Sequence, residues 1–226
     1  MIKNTAKRIY LILILILLYA PIITLVVLSF NNSKTRAKWG GFTGKWYISL
    51  FQNPDIMNAL YTTLIIALLS ALIATLIGTA ASLGIQAMKP KMRTFMMGVT
   101  NIPMLNADIV TGISLMLLFL TFKARFGFIT ILLSHITFNI PYVILSVGPK
   151  LRQMDRNLVD AAMDLGCTWM QAFWKVIIPE IKPGIVSGAL TAFTMSIDDF
   201  VISYFTAGSS SSTLAMTIYG MTKKKV

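Results

Sequence analysis

The stretch Ile56–Met88, IMNALYTTLIIALLSALIATLIGTAASLGIQAM, contains no charged residue. Crossing a bilayer takes about 20 predominantly apolar residues of helix, so this run is long enough to span one. Four further uncharged runs, Ile9–Ser33, Ile109–Phe122, Phe126–Pro149 and Gly184–Ile197, stand along the same chain. No alternation of apolar and polar residues competes with them as strand. The fold class read from these runs is an all-α integral membrane protein.

Composition agrees. Of 226 residues, 56% are hydrophobic and only 12% charged, an apolar excess beyond that of soluble domains. The net charge of +12 would suggest nucleic acid in a soluble chain. In a membrane chain, basic residues flank the apolar spans, where they set topology and meet anionic headgroups, so the partner implied is membrane lipid and no nucleic acid. A single cysteine, Cys167, excludes a disulfide framework, and a single histidine, His135, excludes a His-rich metal centre; no metal site is expected.

Lys3, Lys7 and Arg8 precede an apolar run, Ile9 to Phe30, that outlasts a signal-peptide core, and Tyr19-Ala20-Pro21 places proline where cleavage would have to occur. This run is read as a retained first span kinked at Pro21. Five helices follow in all, over Ile9–Phe30, Leu60–Ile85, Phe95–Phe122, Phe126–Val147 and Gly184–Phe205. They form a single transmembrane domain over residues 1–226. The loop from Asn31 to Asn58 carries Trp39, Trp46 and Tyr47, which suit headgroup depth.

With the amino terminus in the cytoplasm, Lys and Arg number eleven inside and nine outside. Setting aside Lys223, Lys224 and Lys225 lowers the outside count to six, which strengthens that orientation. Ser70, Ala74, Gly78 and Ser82 recur every four residues, so they share one helix face and allow another helix to approach closely; Gly184 and Gly188 repeat the pattern. Ordinary static packing accounts for these stripes, and a moving helix bundle is the alternative.

Between the fourth and fifth helices, residues 150–183 are too polar to span yet regularly patterned. Met154, Leu158, Ala161, Ala162 and Leu165 recur at helical spacing, with Asp155, Arg156, Asp160 and Asp164 facing elsewhere. Gly166 suits a left-handed helix end. Thr168 and Gln171 have capping-box spacing for a second helix through Trp169, Phe173 and Val176, which Pro179 would stop. The order Asp160-Ala161-Ala162, Gly166, then Val176-Ile177-Ile178-Pro179 resembles the EAA loop of ABC importer permeases, with Asp160 in place of the usual Glu. That resemblance implies a coupling segment that docks on a cytoplasmic ATPase, with Asp160, Ala161, Ala162, Gly166, Val176, Ile178 and Pro179 as its residues.

The chain has no Gly-x-x-x-x-Gly-Lys-Ser/Thr motif, so it is read as no enzyme, binding no cofactor itself; ATP and Mg would belong to a partner ATPase. His135 lies in an apolar helix with no acidic residue near it in sequence, and a helix-to-helix hydrogen bond is the role expected of it. Asp108, Asp198 and Asp199 lie in apolar helical segments. Carboxylates there are costly and mark a pathway for cations, or else they cap broken helices, an option that Pro103 and Asn106 keep open for Asp108.

Ser196-Ile197-Asp198-Asp199-Phe200-Val201-Ile202-Ser203 resembles the fifth-helix motif of PotC-type spermidine/putrescine permeases. Phe30-Asn31-Asn32-Ser33, the segment from Trp39 to Tyr47, and Ala107 to Leu115 follow the same subfamily. The resemblance implies a type I ABC importer bundle in the bacterial inner membrane, working by alternating access. It also implies a homologous second permease, two ATPase subunits and an extracytoplasmic polyamine-binding protein. Permeases for ferric iron or thiamine share the coupling loop, and a motor-independent cation carrier is the alternative of another class. The family ordinarily ends on a sixth helix, and one span fewer is expected here, since Leu214 to Met221 is too short to supply it.

Overall fold

The computed structural model describes residues 2–33, 38–155, 157–208 and 211–223, with the side chains of residues 2–6 left aside. Lys34, Arg36, Arg156, Lys224 and Lys225, all counted in the charge balance, lie outside the described residues, as does the side chain of Lys3. Two compact units separate at Met57.

In the first unit, helix α1 (Ile2–Ser29) contains Pro21. Its apolar side chains from Ile9 to Val27 are exposed on every face, as befits a helix whose solvent is lipid. The loop beyond it is tied by Asn31, whose side chain donates to the Lys38 carbonyl at 2.8 Å and accepts from the Gly40 N–H at 2.7 Å. The indole of Trp46 donates to the Asn31 carbonyl at 2.8 Å, and Phe30 stacks on Phe42 at 4.9 Å. Gly41 takes φ +96°, which a side chain would disfavour. Helix α2 (Lys45–Gln52) closes the loop, within the segment whose aromatic residues suit headgroup depth.

The second unit is built on α3 (Pro54–Ala87), α4 (Pro90–Leu105), α5 (Asp108–Thr121), α6 (Phe128–Gln153), α7 (Asn157–Asp164), α8 (Trp169–Ala172), α9 (Ile178–Asp198), α10 (Val201–Thr206) and α11 (Leu214–Lys223). Among the described residues, four helical segments are long and apolar enough to cross a membrane, or five if the bent pair α4 and α5 counts as one span. That number matches the five expected. Their detail differs in two places. The single helix expected over Phe95–Phe122 is two helices meeting at 102°. Pro103 weakens the end of α4, Asn106 leaves the helical region at ψ 149°, and Asp108 opens α5, where a carboxylate favours the positive end of the helix dipole.

Pro179, expected to stop a helix, does not. Residues Phe173–Ile177 form a π-turn that joins α8 to α9, and Pro179 falls in the first turn of α9, where its missing N–H costs least. The span therefore runs from Trp169 to Asp198, longer than the Gly184–Phe205 helix expected, and it breaks at Asp199 before α10.

The small-residue stripes are buried as expected. Ser70, Ala74, Gly78 and Ser82 of α3 lie inside, and α6 packs against them. A Cβ on Gly78 would stand 2.7 Å from Val143 Cβ, and one on Gly188 would stand 3.2 Å from Val143 Cα, so α3 and α9 both close on the same turn of α6. Val143, Val147, Leu151, Ile177 and Ile181 complete that core. We expect Gly78→Val to lower the stability of the purified, detergent-solubilised chain by about 1–3 kcal/mol, read as an earlier thermal midpoint.

Candidate functional site

Two places carry the residues singled out in the sequence. The first is the segment between α6 and α9. Helix α7 ends in a left-handed turn at Gly166 (φ +87°), with the Gly166 N–H on the Met163 carbonyl at 2.9 Å and the Cys167 N–H on the Ala162 carbonyl at 3.1 Å. These are the paired bonds of a Schellman helix end. The expected capping box is formed: the Thr168 N–H donates to Gln171 Oε1 at 2.9 Å, and the Gln171 N–H to Thr168 Oγ1 at 3.4 Å.

Helix α7 meets the core through one residue of its own. Val159 packs toward the core with Met154, Phe173 and Ile178, whereas Leu158, Met163 and Leu165 are exposed, Leu165 by 87%. The stripe of Leu158, Ala161 and Leu165 is thus presented outward beside exposed Asp160. Val176 and Ile178 are half-buried, Pro179 is exposed, and Ile177 between them is a core residue. One end of the motif anchors in the bundle and the other projects from it.

The second place is the break between α9 and α10. Asp199 leaves the helix at ψ 123°, and its carboxylate accepts from the backbone N–H of Ile202 at 3.2 Å and of Ser203 at 2.8 Å. These are donors that the start of α10 cannot satisfy internally. The same carboxylate lies 3.3 Å from His135 Nε2, both side chains being nearly buried at 9% and 3% exposure. Ser203 Oγ lies 3.0 Å from that nitrogen, and His135 Nδ1 faces Ser196 Oγ at 2.5 Å. Ser196 Oγ meets Ser70 Oγ of α3 at 3.1 Å, and the Asn139 amide donates to Ser70 Oγ at 3.4 Å.

A donor order consistent with these contacts runs from Asn139 to Ser70, Ser70 to Ser196, Ser196 to His135 Nδ1, and His135 Nε2–H to the carboxylate of Asp199, with the Ala67 carbonyl a second acceptor 3.2 Å from Ser70 Oγ. Among the described residues, His135 and Asp199 make the only ion-pair contact. The helix-to-helix bond expected of His135 is present, with an acidic neighbour that sequence distance concealed.

The three acidic candidates separate. Asp198 and Asp108 are exposed, while Asp199 is turned into the bundle. Helices α5 and α10 pack together at Gly112, where a Cβ would stand 2.9 Å from the Phe205 ring. Asp108 opens the first of these helices, and Asp198 ends the helix just before the second. Sequence reasoning missed Ser196 and Ser203 as partners. Their spacing around Asp199 was the available signal, as was Asn139 one turn from His135.

Thr168→Ala removes the cap at the start of α8 and is expected to cost about 1 kcal/mol, detectable as faster amide exchange over Trp169–Ala172. Ser196→Ala leaves a buried imidazole nitrogen without its hydroxyl and is expected to cost about 1–3 kcal/mol in thermal unfolding.

Residues 74–223 match the family of binding-protein-dependent transport system inner membrane components. The chain is 38% identical to the spermidine/putrescine transport system permease protein PotC of Escherichia coli K12, over 91% of this chain and 78% of that protein. It is 37% identical to the putrescine transport system permease protein PotI of the same strain, over 92% of this chain and 77% of that protein. A PotC homolog of Mycoplasma genitalium is 31% identical over 98% of this chain and 82% of its own length. With an all-helical fold, several membrane-spanning helices and this similarity along most of its length, the chain belongs to the binding-protein-dependent transport system inner membrane components, the multi-pass permease subunits of ABC transporters.

Proposed function

We propose that this permease carries polyamines, spermidine or putrescine, into the cell as part of an ATP-driven importer. The observation that carries the reading is the pair of exposed carboxylates, Asp108 and Asp198, each at the end of a broken apolar helix. A carboxylate in such a segment is retained where a water-filled path or a cation repays its desolvation. Polyamines are flexible chains with ammonium groups at intervals, so two separated carboxylates suit them better than a single deep site. The names of the PotC and PotI relatives support the same cargo class.

The importer requires partners: a homologous second permease, two ATPase subunits that hold ATP and Mg, and an extracytoplasmic binding protein that delivers the cargo. The amino terminus lies in the cytoplasm, which puts the α7–α8 segment on the same side as the ATPases. There Asp160, Ala161, Ala162 and Gly166 face the motor, while Val176, Ile178 and Pro179 sit where the segment enters the bundle. A small-residue surface allows close approach, and exposed Leu158, Met163 and Leu165 supply apolar area for docking. Closure of the ATPase pair would move α7, and the anchored residues Val159, Phe173 and Ile178 would carry that motion into α9.

The test is ATP-dependent uptake of labelled spermidine into proteoliposomes holding this chain with its companion permease, ATPase and binding protein. Gly166→Pro and Asp160→Lys are expected to abolish uptake while leaving membrane insertion intact. Uptake that persists in both variants, or that needs no ATP, would overturn the coupling assignment and favour a carrier driven by the cation gradient.

A further inference from the structure

We propose that His135, Ser196 and Ser203 hold Asp199 as a positioning clamp on the break between α9 and α10, and that Asp198, not Asp199, meets the cationic cargo. The inference rests on the importer reading above and assigns separate roles to two adjacent carboxylates that sequence treats alike.

The geometry of Asp199 leaves little for a ligand. Its two oxygens take the N–H groups of Ile202 and Ser203, and Oδ2 also faces His135 Nε2. A carboxylate is an acceptor with about four lone-pair directions, and three are engaged inside the protein. Its side chain is 9% exposed. Asp198 is exposed and immediately precedes the break. Neighbouring residues on a helix point about 100° apart, so turning one into the bundle turns the other away from it.

The clamp reaches beyond α9 and α10. His135 stands on α6, and through Ser196 the network continues to Ser70 on α3 and Asn139 on α6. Such a set of bonds in an apolar bundle gives the break one arrangement, since any slip of α10 would bury an unpaired carboxylate and imidazole together. The direction of Asp198 is then set by groups that never touch cargo. His135 and Asp199 are positioning residues for transport.

The experiment compares initial rates of spermidine uptake against concentration in proteoliposomes of the complete transporter. Asp198→Asn is expected to raise KM at least about tenfold, because the charge itself is used. Asp199→Asn keeps an acceptor for the amides and is expected to remain within about threefold of the unsubstituted transporter in KM. Asp199→Ala and His135→Ala are expected to lower kcat at least about tenfold, with His135→Gln recovering part of the loss. Combining His135→Ala with Asp199→Ala should cost no more than Asp199→Ala alone, the signature of one coupled unit. A KM for Asp199→Asn raised as far as that for Asp198→Asn, or multiplicative losses in the double variant, would overturn the clamp.

Amide exchange over Phe200–Thr206 gives a second readout independent of cargo. Asp199→Ala should speed exchange there, and Asp199→Asn, which keeps one of the two acceptor oxygens, should speed it less; protection unchanged in Asp199→Ala would also overturn the clamp. If the unsubstituted transporter imports no spermidine, the polyamine reading fails by itself, and the exchange measurement still decides the clamp.

Discussion

A carboxylate held inside an apolar helical bundle must be paired on every side, and the pairing of Asp199 determines much of what surrounds it. The acid sits where a long helix ends and a short one begins, so it satisfies backbone donors that lipid cannot. It also draws His135 from another helix to within 3.3 Å, and the serines on either side of it complete the contact. The break in α9, the buried histidine and the polar stripe of α3 are therefore parts of one solution to a single electrostatic problem.

The close approach of α3, α6 and α9 makes that solution possible. Glycine on both neighbours faces Val143 of α6, and a methyl group at Gly78 would collide with the valine side chain. Bringing the helices this near places Ser70 and Ser196 within 3.1 Å of one another, a distance that larger residues in the stripe would prevent. Small residues and polar residues thus act together: the first set the spacing, and the second use it.

At the other end of the bundle the same chain solves a different problem. Residues 157–172 leave the apolar core yet stay attached to it. Gly166 and the Thr168–Gln171 box satisfy the backbone of the turn locally, so the segment keeps its shape without burying much surface. Val159 and Phe173 tie it to the core, and the π-turn over Phe173–Ile177 lets the helix continue through Pro179. Leu158 and Leu165 are exposed, turned away from the core.

Helix number, the first apolar helix, the small-residue faces, the Gly166 corner and the capping box were legible in the sequence because each is local. Apolar run length, four-residue spacing and turn chemistry depend on residues within a turn or two of one another. The bend of 102° between α4 and α5 was half legible, since Pro103 and Asn106 mark a break but carry no information on its angle. The face by which α7 meets the core and the passage of the helix through Pro179 were not, because the first depends on which residue meets the core and the second on a π-turn with no simple spacing. Least legible of all was the division between Asp198 and Asp199. Sequence alone determined that two carboxylates occupy this membrane-spanning segment; only the tertiary structure, by bringing His135 from sixty-odd residues away, decided which of them the fold pairs internally and which it leaves exposed.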